Sequence, residues 1–146
     1  MVIEQKITNP YNYSDKRSTR DIVYIVVQEI SNKPTGHYHV KNGNAIQVIP
    51  DEFMSDSVNG GKLNQMGRLH GICTKYNSIT ICVSDNPSKK DIEIIPHLIM
   101  TLMRRYKIKD ENVIRQKDVT GEYNPIVWAS DERWDKDIKN KLADMA

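Results

Sequence analysis

The chain opens on polar residues and then turns abruptly apolar at Ile22–Val27 (IVYIVV), its strongest strand signal. A run this rich in β-branched residues, without alternation, predicts a central strand buried on both faces. Ser31 to Gly36 follow, with Pro34 and Gly36 as breakers. His37–Lys41 and Ala45–Ile49 then read as a hairpin around Asn42-Gly43-Asn44, a tight-turn sequence. Ser78–Val83 (SITICV) predicts a second buried strand and Asn112–Arg115 a short one. Asp85-Asn86-Pro87-Ser88 is a turn and a helix start. From Lys89 to Tyr106 apolar residues recur at three and four: Ile92, Ile95, Ile99, Leu102, Met103 and Tyr106. Pro96 inside this pattern predicts a kink or the true beginning of the helix. Asp131–Met145 is a second amphipathic helix, with Trp134, Ile138 and Leu142 on one stripe, Ser130 as cap, and Asp131 and Glu132 at the positive end of its dipole.

Between these elements lie a polar arm at residues 1–20, a glycine-bearing loop over 50–71 and an irregular stretch over 118–130. A loop as long as 50–71 in a small domain marks function. Strands interleaved with helices give an α/β fold, a single domain with a mixed central sheet flanked by helices. The predicted division is an arm, 1–20, packed on a domain, 21–146.

Composition narrows the classes. The 146 residues are 38% apolar, enough for one core. With 21 basic against 19 acidic residues, the net charge of +2 supplies no basic stripe for nucleic acid. No apolar run approaches the roughly 18 residues of a membrane span. The N-terminus lacks the apolar core of a classical signal peptide, which implies a cytoplasmic protein. Two cysteines, Cys73 and Cys82, make no disulfide framework.

Four separated segments resemble one family. Tyr24-Ile25-Val26-Val27 followed by a polar residue is similar to the first strand, Tyr-Ile-Val-Ile-His, of the zinc-dependent N-acetylmuramoyl-L-alanine amidases of phage endolysins and peptidoglycan-recognition proteins. Gly36-His37-Tyr38-His39-Val40 resembles their Ala-His-Tyr-Phe-Val strand. Val58–Thr74 with Asn77-Ser78-Ile79 resembles the loop before their Ser-Ile-x-Ile-Glu strand. Arg115-Gln116-Lys117-Asp118-Val119-Thr120-Gly121 resembles their Arg-His-x-Asp-Val-Thr-Gly segment. The wording is nearest to endolysins of phages that infect Gram-positive spore formers. The resemblance implies a fold in which three protein ligands hold zinc, and the metal brings the pKa of its water to about 7 for attack on the amide.

Residue by residue, this sequence departs from that chemistry. The ligand positions fall at Gln28, Gln116 and Asn124, the last in Glu122-Tyr123-Asn124-Pro125 where the family has Lys-Asn-Cys-Pro. The assisting Lys becomes Glu122, and the Glu ending the Ser-Ile-x-Ile-Glu strand becomes Cys82; only His37 is of a catalytic type. Carboxamides are poor zinc ligands, so the expectation is no zinc and no other cofactor. The family also has a helix between its first two strands. Here one helix is missing between Ile30 and His37, because a parallel crossover needs a dozen or more residues. Either the strands are joined differently, or one sheet face has lost its cover and exposes a surface for a partner.

The remaining residues carry two readings each. His37 and His39, two apart on a strand, could hold a metal or could be a leftover polar cluster; no third ligand is evident, as His70 and His97 lie elsewhere. Cys82 beside His37 could be a nucleophile pair or a small buried core thiol. Gln28, Gln116 and Asn124 are expected to hydrogen-bond to one another. Trp134 reads as core, and Trp128 as core or as a partner anchor. The function expected is that of a phage-derived pseudoenzyme with a vestigial cleft (His37, Cys82, Glu122). It would bind or inhibit a protein such as a host or anti-phage defence protein, or self-associate. The alternatives are a peptidoglycan-binding module, using the loops Asn59–Lys62 and Gln65–His70, and a still-active amidase. His39, Asn59, Lys62, His70 and Trp128 are the candidate binding residues.

Overall fold

A computed structural model describes residues 1–9, 15–31, 35–55 and 67–146. The apolar run becomes strand β2, Tyr24–Glu29, flanked on both sides by parallel strands, Ser78–Val83 and Val113–Arg115. It starts two residues later than the sequence suggests, because the Ile22 amide bonds to Thr19 O in the preceding turn and the Val23 amide to Asn77 O, just ahead of the neighbouring strand. The hairpin is present as β3, Tyr38–Lys41, and β4, Asn44–Gln47, antiparallel to each other. Asn42 and Gly43 alone form its turn, both at positive φ (53° and 73°), which matches the right-handed twist of the strands. The arm adds β1, Ile3–Gln5, parallel to β4. With β5, Ser78–Val83, and β6, Val113–Arg115, the six-stranded mixed sheet has the order β1-β4-β3-β5-β2-β6.

One face of this sheet is apolar. Ile25, Val27, Tyr38, Val40, Ala45, Ile79, Ile81, Val83 and Val113 pack with the helices in one core. Helix α1, Lys89–Tyr106, contributes Ile95, Leu98, Ile99, Met100 and Leu102. Its start is not at Pro96: a capping box at Ser88 and Asp91 fixes it, and the helix runs through Pro96. Asp91 Oδ1 also accepts from Gly43 N at 2.7 Å, which ties the hairpin tip to the helix. The residues after β6 are less irregular than the sequence suggests. They form a helical turn, α2, Lys117–Thr120, and a 3-10 turn, Ile126–Trp128. The last helix comprises α3, Asp131–Trp134, a π-helical stretch, Asp135–Lys139, and α4, Asn140–Met145, with Trp134, Ile138 and Leu142 buried as expected. No helix among the described residues is long and apolar enough to cross a membrane.

The opposite face is mixed: Val26 and Ile114 pack in a second apolar cluster with Cys73 and Val119, while Gln28, His39 and Cys82 make its strand-end part polar. β2, β5 and β3 run parallel, so residues at one level point the same way: Gln28 lies beside Cys82, and Cys82 beside His39. This face is where the chain between β2 and β3 must pass, because β5 lies between them. Eight residues, Ile30 to His37, suffice, and the register explains why. β2 ends with Glu29 beside Val83, whereas β3 begins with Tyr38 already beside Ile81. The connection drops back only two residues, about 7 Å, instead of a full strand length. Its described parts, Ile30–Ser31 and Thr35–His37, hold no helix. The alternative of a bare apolar face is therefore overturned. Gln28, His37, His39 and Cys82 are all buried, and of the connection Thr35 meets His39 and Cys82 while Gly36 lies against Cys82.

Candidate functional site

The C-terminal ends of β2 and β5 collect the residues singled out by the sequence. The Gln116 N–H donates to Val27 O at 2.9 Å, and the Lys117 N–H to Asn124 O at 2.8 Å. Asn124 Oδ1 accepts from the Glu29 N–H at 2.8 Å. Glu29 Oε1 accepts from the Ile126 N–H at 2.7 Å, so Glu29 clamps the 124–126 segment, which contains a cis Asn124–Pro125 bond. Gln28, Gln116 and Asn124 thus stand around one turn of backbone, Val27–Glu29. The expected network among them is absent from the described residues. Gln28 Nε2 donates to Cys82 Sγ at 3.5 Å, and Asn124 serves the backbone. The physical reason is that the strand end leaves an N–H without a ladder partner, and Asn124 fills that need first.

His37 is fully buried. Its Nδ1 accepts from the Thr80 N–H at 3.1 Å, so the ring proton sits on Nε2 and goes to Phe53 O at 2.8 Å. Arg17 Nη2 lies 3.2 Å from the same Nε2. Burial and the neighbouring Arg17 cation bring the His37 pKa down to about 4. Both ring nitrogens are engaged and the ring is neutral at pH 7. His39 Nε2 donates to Thr35 O at 2.7 Å, and burial also lowers its pKa. His37 has no nitrogen free for a metal. Among the described residues no group of three or more His, Cys, Asp or Glu is placed to hold an ion.

Cys82 has no histidine partner. Its thiol donates to Thr35 O at 3.4 Å, and burial pushes its pKa up to about 12, so the nucleophile-pair reading gives way to the buried-thiol one. Cys73 packs with Val26, Ile114 and Val119 and is likewise held protonated by burial. Of the other predicted residues, Glu122 and His70 are exposed and lie outside the buried cluster. Asn59 and Lys62 lie outside the described residues. Trp128 is corrected from possible anchor to core: it is fully buried, its Nε1 donates to Asp137 Oδ2 at 2.9 Å, and its ring lies 5.9 Å from that of Trp134.

The strand order, the position of α1 and the convergence of 28, 116 and 124 at one strand end define an architecture that can be compared. The chain has the endolysin amidase fold. A point mutant of PlyL superposes with a TM-score of 0.76 over 98% of this chain and 99% of its own, at 20% identity. A mutant endolysin from Bacillus subtilis gives 0.75 over 97% and 98%, also at 20% identity. The N-acetylmuramoyl-L-alanine amidase LysC from Clostridium intestinale gives 0.64 over 86% and 89% at 13% identity. No protein-family model matches the sequence, and no curated protein is similar enough in sequence to count as a relative.

Three participants have no signature in the sequence. Arg17, in the arm, reaches His37 and also donates to the carbonyls of Lys75, Tyr76 and Ser78. Thr35 O receives both His39 and Cys82, and Glu29 holds Asn124 and Ile126. Only the breakers Pro34 and Gly36 marked the crossing, and the meaning of Gly36 depended on what lies under it.

Proposed function

We propose that this chain is a non-hydrolytic protein of the endolysin amidase fold that binds a cell-wall fragment without cutting it. The supporting observation is the donor set at the end of β2. Zinc in such folds asks for imidazole nitrogen or thiolate. Gln28, Gln116 and Asn124 offer neutral carboxamides, and Asn124 Oδ1 is already engaged by the Glu29 N–H. This set does not fit zinc, so no metal-assisted step is assigned to it. His37 and Cys82 offer no substitute chemistry, since the ring is neutral and fully hydrogen-bonded and the thiol is protonated.

The test combines three measurements on protein expressed with added zinc: metal content, amino groups released from purified cell walls, and co-sedimentation with those walls. The expected result is far less than one zinc per chain, no release, and co-sedimentation. One zinc per chain with release of amino groups overturns the reading. A protein that ignores the walls turns attention to a protein partner. That second reading draws on Tyr123 and Ile126, exposed apolar side chains on the segment that carries Asn124. Near-stoichiometric capture from host lysate, with a native mass to report self-association, checks it.

A further inference from the structure

The arm leaves the sheet with an open edge. β1 is last in the strand order, so no strand among the described residues lies beyond it. The Lys6 N–H donates to Gln47 O and the Thr8 N–H to Val48 O, each at 2.9 Å. Backbone groups alternate in direction along a strand, so the amides and carbonyls of Ile3, Gln5 and Ile7 face outward, away from β4. Side chains alternate between the two faces as well. Ile3 packs against the main core, and Ile7, two alternations on and so on the same face, is 46% exposed. Glu4 and Lys6 share the other face, where they form an exposed ion pair at 3.8 Å.

We propose that β1 is a self-association edge, at which two copies of this chain pair antiparallel about a two-fold axis at Gln5 and join their sheets into one. The charge pattern of the arm selects this partner. Charges on an edge strand commonly block pairing. Here their order makes them attract, because Val2-Ile3-Glu4-Gln5-Lys6-Ile7-Thr8 is nearly palindromic about Gln5 with the two charges of opposite sign. The axis sets Glu4 opposite Lys6 of the second copy, and Lys6 opposite its Glu4. It also sets Ile3 opposite Ile7 of the second copy, which covers the exposed Ile7 side chain. The outward residues 3, 5 and 7 become the hydrogen-bonded pairs, each exchanging an N–H and a C=O, and the charges fall in the non-bonded pairs, where facing side chains stand closest. An axis at Glu4 would set two glutamates face to face, and one at Lys6 two lysines, so the register is fixed by repulsion on either side. A two-fold contact of this kind closes on itself and stops at a dimer. The proposal is independent of the cell-wall reading above.

Sedimentation velocity of the full chain, without walls or other ligands, tests it over a concentration range of roughly 10 μM to 1 mM. A single edge contact buries less than the roughly 1,200 Å² of a standard interface, so the dimer is weak and its share rises with concentration. Glu4→Lys and Lys6→Glu each set like charges opposite one another twice, and each is expected to weaken the dimer by roughly tenfold or more. Both positions are exposed, so thermal melts of the two variants should match the wild type. Mixed in equal amounts, the two variants should dimerise again, since every lysine of one chain then faces a glutamate of the other. Gln5→Pro removes an outward N–H that β4 does not use, so the fold should hold while the dimer is lost. A monomer over the whole range overturns the proposal. So does a dimer indifferent to both charge reversals, a mixture that stays monomeric, or a dimer that survives Gln5→Pro.

Discussion

Gly36 crosses Cys82 so closely that a β-carbon added to it would sit 2.3 Å from the sulfur. Its φ of +85° disfavours any other residue as well. The pair is what lets a connection without a helix pass over β5. A longer side chain at 82, such as the glutamate of the resembling family, would occupy the path of the chain.

Gly36→Ala is accordingly expected to cost about 2–4 kcal/mol, combining a left-handed backbone with overpacking against a buried sulfur. Cys82→Ala frees space beneath it. In a double-mutant cycle read by urea unfolding, Gly36→Ala should cost at least about 1 kcal/mol less on the Cys82→Ala background. Additive effects would mean that the two residues are not in contact.

His37 predicts an acid-sensitive fold. Its pKa is near 4 in the folded chain and near the ordinary 6.5 in the unfolded one. Between those values the unfolded chain binds the extra proton, so stability is complete above pH 6.5 and is lost as pH falls toward 4. The loss attributable to this residue is up to about 3 kcal/mol. The slope difference between the wild type and His37→Gln, measured by urea titration at pH 7, 5.5 and 4, isolates it from the carboxylates. Parallel slopes would contradict the buried neutral imidazole.

Cys73 and Cys82 are expected to be silent toward a thiol reagent at pH 8 in the native state, since both are buried and held protonated. Both should react within seconds in denaturant. Fast labelling of one thiol in the folded protein, mapped to Cys82, would show that the connection opens.

Asn124 is expected to act through the backbone. Asn124→Ala leaves the Glu29 N–H without its acceptor and should cost about 1–2 kcal/mol, whereas Asn124→Asp keeps an acceptor oxygen and should cost less. Thermal melts of the two variants check the order. Equal losses would assign Asn124 a different task.

The sequence determined the main strands and the two long helices, because each is specified by near neighbours, but not β1 in the arm or the short helical turns after β6. The hairpin turn, read over Asn42-Gly43-Asn44 and found at Asn42-Gly43, the helix start at Ser88 and the Trp134–Ile138–Leu142 stripe all act within a few residues, and each appears at or within a residue of its pattern. The gathering of Gln28, Gln116 and Asn124 was legible through family likeness, but their partners were not. The tertiary structure decided those. Strand register places Tyr38 beside Ile81, which shortens the crossing and lays Gly36 on Cys82. Arg17 meets His37 from an arm with no periodicity of its own. Asn124 turns to the Glu29 N–H and Gln28 to Cys82 rather than to each other. A buried polar side chain bonds to whatever donor or acceptor the packed chain leaves unmet at that point, and no local pattern of residues records which one that will be.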